Sequence, residues 1–406
     1  MSEPIYTLMR FFQEKNPVFP CLVAGLFVSK SNGEFELHSQ GCRLICERDI
    51  NQTHQMSFLQ QGDWICAKII KIKKRYQLKS WKKLCSGFEP EEKTPSLVKD
   101  QENWNHFLIS IKDFFISQGM SLVETPSLVE SPGTEPHLSP FETEWVLPNK
   151  KKQIRFLPTS PEMNLKKLLC QGWTDIFEIK KCFRNGELSR SHLPEFYMLE
   201  WYRAFFPLEQ LMEEIETLLK YLSREIFFKG HLKSAEIHTV SDLFFKYLNF
   251  QLRPETSKED LIHLLDKCQI PYSHNGTWED FFHLLFLNKI EPCFSEEIPL
   301  IVKDYPLCLR GFSRQNERGW ADRFELYWRG FELANAFYEV TDPVEQGRLF
   351  QQHLQQRSDG VPEDKELLHL MKTKGMPPCS GIALGLDRLF AAPCKKKEIT
   401  FFKVFP

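Results

Sequence analysis

The sequence predicts an α+β protein: a small all-β region, then a larger region in which antiparallel strands are flanked by helices. Three observations carry this. Short apolar runs broken by turn residues fill residues 1–88. Two later stretches, Phe183–Arg203 and Phe324–Glu339, alternate in polarity on either side of a polar loop or a glycine turn, as hairpins do. Around them, apolar residues recur at helical spacing.

At 406 residues the chain is long enough for two or more domains. A hydrophobic content of 42% is that of a protein with a substantial core, and a net charge of −2 argues against a molecule-wide electrostatic nucleic-acid binder. The 12 cysteines include no C-x-x-C pair, Cys42 and Cys46 being the tightest. That usage fits reduced thiols in a cytoplasmic protein and speaks against structural zinc. The N-terminal MSEPIYTLMRFFQEKN lacks the apolar core of a signal peptide. No apolar run approaches the ~20 residues that span a bilayer, so no membrane partner is expected.

Residues 1–88 read as a small β-barrel or sandwich. Phe19–Val28, Phe35–Ser39, Arg43–Glu47 and Trp64–Ile72 are the strands, separated by turns at Ser31-Asn32-Gly33 and Gln61-Gly62-Asp63. Trp64–Phe88 carries eight Lys/Arg and no acid, with Tyr76 and Trp81 interleaved. A nucleic-acid track and a solubilising sheet face both account for it. Residues 89–101, charged and proline-containing, read as a linker. From residue 102, Trp104, Phe107, Leu108, Ile111, Phe114 and Phe115 mark an amphipathic helix with Gly119 at its C′ position. Ser121–Pro126 follows as an extended segment. Ser160 (N′ or N-cap), Pro161 and Glu162 open another helix, where a carboxylate complements the dipole. Leu208–Ile226 is a third helix. Residues 229–300 carry further helical patterns, including Lys258–Lys267 after a start at Ser257, and Trp278–Leu287.

Some of these residues bear chemistry. With Phe183 buried, Arg184 points to the other face of a strand, placed to hold a phosphate bidentately. Glu200 and Tyr202 share a face and can reach one pocket. Glu325 and Glu332, seven apart around a turn at Arg329-Gly330, can converge on one Mg²⁺. Asn335, Phe337 and Glu339 alternate on one face, a combination that suits an ammonium-bearing side chain. In isolation each also has a plain reading, as a basic surface loop or the solvated face of a sheet.

The stretch FRNGELSRSHLPEFYMLEWYR resembles motif 2 of the class II aminoacyl-tRNA synthetases, in the lysyl subgroup. The helix at 102 with Ser121–Pro126 resembles motif 1. Phe324–Glu339 resembles the subgroup's amino-acid strand, and Cys379–Phe390 (CSGIALGLDRLF) resembles motif 3. The resemblance covers about 300 residues and implies a class II antiparallel sheet preceded by an OB-like domain. Residues 102–406 would be the catalytic domain, with a helical insertion at about 229–300.

It implies ATP and Mg²⁺ as cofactors and a homodimer through motif 1. Arg184 and Arg388 become the catalytic arginines on the α- and γ-phosphates. Asn185, His192, Phe196, Glu332, Leu333 and Gly385 join them around ATP, and Glu325 with Glu332 holds the metal. Ser160 and Glu162 meet the amino group. Glu200, Tyr202, Asn335, Phe337, Glu339 and Ala383 line the rest of the amino-acid pocket. Two positions depart from the pattern: Gly186 replaces Glu and Leu193 replaces Asn, with Glu187 the nearest substitute carboxylate.

Ser160, Ala383 and the strings MLEWYR and PPCSGIALGLDR are closer to a truncated branch of the subgroup, the elongation factor P (R)-β-lysine ligases, which lack an N-terminal domain. The expected activity is therefore transfer of lysine or (R)-β-lysine, activated as an adenylate, to elongation factor P. The alternatives are charging of lysine tRNA and, on the strength of Gly186 and Leu193, a non-catalytic paralogue.

Overall fold

The computed structural model describes residues 5–7, 21–29, 34–39, 42–47, 56, 59–60, 63–72, 75–85, 94–227, 232–394, 398–400 and 402–403. The turn at Ser31-Asn32-Gly33, Gln61-Gly62 of the second turn and positions 89–93 of the expected linker lie outside them. The chain forms two compact units, residues 1–105 with 401–406 and residues 106–400.

The first unit holds a six-stranded sheet: β1 (Ile5–Thr7), β2 (Cys21–Ser29), β3 (Glu34–Ser39), β4 (Cys42–Glu47), β5 (Trp64–Ile72) and β6 (Arg75–Cys85). They run in the order β1-β2-β3-β4-β6-β5, and an added β2–β5 pairing closes the sheet on itself. Its core is Val23, Phe27, Phe35, Leu37, Leu44, Cys46, Ile65 and Ile69, the alternate residues of each strand. Of the basic residues in β6, Lys79 and Lys82 are exposed, whereas Lys83 pairs with buried Asp63 at 2.8 Å.

Residues 94–101 are helical, correcting the linker reading. Helix α1 runs Thr94–Ser117, and the division between units falls inside it rather than at 102. Pro95 sits in its first turn, where a missing N–H costs nothing. Phe107, Ile111, Phe114 and Phe115 are buried while Ile109 is exposed, and Gly119 follows at φ +76°.

The second unit is organised on an eight-stranded sheet. In chain order its parts are β7 (Ser121–Leu122), a separate hairpin β8 (Glu142–Val146) and β9 (Lys152–Phe156), α2 (Glu162–Cys170), β10 (Asp175–Phe183), β11 (Glu195–Ala204) and α3 (Leu208–Leu222). Then come β12 (Glu236–Thr239), α4 (Val240–Leu248), α5 (Lys258–Lys267), α6 (Trp278–Leu285), β13 (Leu300–Tyr305), β14 (Ala321–Trp328) and β15 (Phe331–Tyr338). The chain continues through α7 (Pro343–Gln355), α8 (Lys365–Lys374), β16 (Cys379–Gly385) and α9 (Leu386–Ala391).

The sheet order is β12-β13-β14-β15-β16-β11-β10-β7, antiparallel from β13 to β10 and parallel at both edges. The segment expected to be a helical insertion is mostly that, but its strand β12 joins the edge of the main sheet. Helices α4, α5 and α6 each open with a reciprocal capping box, at Thr239/Asp242, Ser257/Asp260 and Thr277/Asp280. Ser257→Ala should lower stability by ~1 kcal/mol, read as a reduced urea midpoint with an unchanged slope.

Candidate active site

The central strands carry the site. Their register places Glu178 (β10), Glu200 (β11), Ala383 (β16), Asn335 (β15) and Glu325 (β14) in one row across the sheet. Directly paired residues point to the same face, at ~4.8 Å per strand. The next row on that face is Ile176, Tyr202, Gly381, Phe337 and Arg323. A cleft of about 1320 Å³ opens above these rows, large enough for two ligands of nucleotide and amino-acid size.

One end of the cleft is basic. Arg184 lies one residue past the end of β10, although its N–H continues the ladder to the Pro194 carbonyl at 3.0 Å. Phe183 is half-buried rather than buried. The Arg184 guanidinium sits 5.1 Å from the centre of the Phe196 ring, its nearest carboxylate is Glu187 at 3.9 Å, and its Nε has no hydrogen-bond partner. Gly186 adopts φ +80°, a conformation natural to glycine.

Arg388, in the first turn of α9, donates to the carbonyls of Ser191 (3.2 Å) and Glu332 (2.9 Å) and to His192 Nε2 (2.5 Å). Burial pushes Arg388 below the usual arginine range. Burial, then the Arg388 charge, push His192 down, so its neutral ring accepts at Nε2 and donates from Nδ1 toward Ser189 (2.9 Å) and Ser191 (3.1 Å). His192, Phe196, Leu333 and Gly385 line this end. Asn185 does not; it is exposed, with its N–H bonded to the Ser139 carbonyl.

The other end is acidic. Glu162 opens α2, with its N–H 3.3 Å from Ser160 Oγ. Pro161 holds the N-cap position, which makes Ser160 the N′ residue, one of the two places the sequence allowed it. Behind it lies a residue the sequence reading missed. Lys166 is fully buried, with Nζ 2.5 Å from Glu162 and 2.7 Å from Glu339. Burial alone would depress this ammonium, but the two carboxylates more than reverse the effect and hold it above the usual lysine range. The available sequence signal was the i,i+4 spacing of Glu162 and Lys166 on one helix face. Glu339 and Tyr202 are 2% and 3% exposed and lie behind the cleft lining, whereas Ser160, Glu162, Glu200, Asn335, Phe337 and Ala383 form it.

Glu200 is the decisive group. It is 2% exposed, and its carboxylate makes no hydrogen bond or ion pair among the described residues. Burial, then the Glu162 and Glu178 charges, push its pKa well above the usual range. Glu178 is otherwise engaged: it accepts from the Thr125 N–H and hydroxyl (2.9 and 2.7 Å) and pairs with Lys180 (3.0 Å). The acidic end thus holds more carboxylate than cation.

A model of the class II tRNA synthetases (D, K and N) matches residues 99–406, which include every residue of the cleft. The chain belongs to the class II tRNA synthetase family. The elongation factor P–(R)-β-lysine ligase of Hamiltonella defensa subsp. Acyrthosiphon pisum (strain 5AT) is 33% identical over 331 residues, 79% of this chain and 98% of that protein. Part of this synthetase-family chain therefore lies outside that match. No described helix is long and apolar enough to cross a membrane.

The expected metal pair fits less well than the spacing suggested. Glu332 lines the cleft of this synthetase, but Glu325 already has both oxygens engaged, one by Arg323 and the other by the Tyr305 and Tyr327 hydroxyls at 2.5 Å each. The pair therefore presents one open carboxylate, not two. The turn joining their strands has Arg329 at φ 52° and Gly330 at φ 75°, the two positive values of a type I′ hairpin.

Among the described glycines, Gly381 is the most closely packed. A Cβ there would lie 2.3 Å from the Tyr202 ring and 2.7 Å from Glu339 Oε1. Gly381→Ala should therefore displace both side chains, costing about 1–3 kcal/mol of stability, read as a lowered urea midpoint.

Titration gives a second test. Burial is the first cause at Glu135 and Glu339, joined at Glu135 by the Glu162 charge, and it pushes each up to about 7. An acid whose folded pKa exceeds its unfolded value makes the native state bind extra protons. The ligand-free synthetase should then lose stability as pH rises from about 4.5 to about 7. Urea midpoints measured across that range would fall.

Proposed function

We propose that the protein is an ATP-dependent ligase that activates lysine or (R)-β-lysine as an aminoacyl-adenylate and transfers it to a lysine side chain of elongation factor P. The observation that carries this is Glu200, a buried carboxylate on the cleft with no cation of its own. A substrate with two ammonium groups and one carboxylate supplies the missing positive charge and directs its carboxylate toward the arginines.

In this reading Ser160 and Glu162 receive the amino group. Glu200, Asn335 and Phe337 receive the side-chain ammonium, with Glu339 and Tyr202 supporting them from behind. ATP lies at the basic end, its adenine against Phe196, its α-phosphate on Arg184 and its γ-phosphate on Arg388. Magnesium would neutralise triphosphate charge, and Glu332 is the residue free to hold it. The substrate carboxylate attacks the α-phosphorus, and pyrophosphate leaves with the broken P–O bond. The acceptor amine then attacks the adenylate carbonyl and AMP leaves. Positioning and charge neutralisation supply the catalysis, without a protein nucleophile.

The relative named as an elongation factor P–(R)-β-lysine ligase supports this acceptor. Ala383 supports a displaced amino group, because its methyl sits in the row between Glu200 and Asn335. The N-terminal six-stranded unit, with Lys79 and Lys82 exposed, favours a second acceptor, lysine tRNA. The protein would be incubated with ATP, Mg²⁺ and labelled α-lysine or (R)-β-lysine, with elongation factor P or total tRNA. Label on elongation factor P is the expected result. Label on tRNA alone would overturn the protein-acceptor reading.

A further inference from the structure

We propose that Glu135 is a second carboxylate of the amino-group site and sets the preference for substrates that carry an amino group near the reacting carboxylate. This rests on the reading of the cleft as an amino-acid site. Glu135 comes from the loop before β8 and lines the cleft together with Ser160 and Glu162. Its Oε2 is shielded from solvent and has no hydrogen-bond partner.

The backbone is shaped to place that oxygen. Gly133 has φ +115°, and a Cβ on it would lie 2.6 Å from Glu135 Oε2. A glycine is therefore what lets the carboxylate fold back at this point. Glu162 repels the Glu135 carboxylate, and below that repulsion rank the attractions of its own backbone N–H, then Arg184 and Lys166. Lys166 is already committed to Glu162 and Glu339.

An ammonium has three N–H donors. Lys166 occupies Glu162 Oε1, which leaves Glu162 Oε2, Ser160 Oγ and the Glu135 carboxylate as acceptors on residues that line the cleft. Two carboxylates beside one ammonium remove the mutual repulsion that each suffers in the empty site. The cleft should therefore discriminate steeply against 6-aminohexanoate, which keeps the side-chain ammonium and the carboxylate of lysine but lacks the other amino group.

The test measures binding of L-lysine, (R)-β-lysine and 6-aminohexanoate to the full-length protein and to Glu135→Gln by calorimetry, alongside the KM for ATP. Glu135→Gln should lower the ratio of lysine (or β-lysine) affinity to 6-aminohexanoate affinity at least tenfold. The 6-aminohexanoate affinity and the KM for ATP should stay within about twofold. Glu135→Asp should recover part of the ratio, which loss of packing alone would not give. An unchanged ratio, or an equal fall for all three ligands, overturns the proposal while leaving the amino-acid reading intact. Wild-type protein that binds no lysine isomer overturns both.

Discussion

Glu200→Gln should make the protein more stable and nearly inactive. The ligand-free fold carries this carboxylate buried beside Glu178 and Glu162, with the one cation acting on it, Lys166, committed to Glu162 and Glu339, and removing a buried charge without an ion pair of its own relieves a penalty. The pKa is raised in the fold. The penalty is therefore absent at low pH, sets in above the ordinary carboxylate range and is largest above the folded pKa. The gain in melting temperature, on the order of several degrees, should accordingly grow as pH rises above the ordinary carboxylate range. In the proposed complex the same group would face the substrate ammonium. Truncating one side of a buried, hydrogen-bonded charge pair costs about 2–5 kcal/mol, so kcat/KM for lysine should fall by roughly 30- to 4000-fold. Opposite signs in stability and activity mark a residue held for its ligand, which a structural carboxylate would not give. Paired thermal melts and steady-state kinetics read both.

Arg184→Ala should act on the chemical step. Its guanidinium is braced against Phe196 and its Nε has no partner, so it is positioned with donor capacity in reserve. In the proposed reaction charge accumulates on the α-phosphate as the carboxylate attacks, and a preorganised donor there contributes mostly in the transition state. Loss of one such donor costs about 10²–10³ in kcat, with the KM for lysine little changed. Arg184→Lys keeps the charge but loses the planar fork and should recover little of it. Single-turnover measurement of adenylate formation separates this from a product-release effect.

The hairpins were legible because their signals are local. β11 and β15 follow from period-two alternation, and the Arg329-Gly330 turn follows from its composition. Glu200 and Tyr202 share a face for the same reason. Lys166 was hidden, since Lys166-Lys167 reads as a pair of surface charges. In the fold Lys166 is enclosed, while Lys167 reaches Asp364 and Glu366 at 2.9 Å each.

Arg323, which engages Glu325, stood two residues away on the same face. The alternation that paired Glu200 with Tyr202 would have found it. The row from Glu178 to Glu325 was out of reach, because it joins strands far apart in sequence and depends on register. Glu135 lies in a loop with no periodicity to read. At the linker, residues 94–101, with Lys99 and Asp100 among them, proved to belong to the start of α1.

The central claim is that the acidic and basic ends of one cleft join a diammonium carboxylate to ATP. The most direct measurement is exchange of labelled pyrophosphate into ATP by the purified full-length protein with Mg²⁺, with no acceptor present. Each of α-lysine, (R)-β-lysine, norleucine and glutamate is supplied in turn. Exchange that requires a lysine isomer and is lost in Arg184→Ala is the predicted result. Exchange independent of the side-chain ammonium, or none with any lysine isomer by a folded protein, would contradict it.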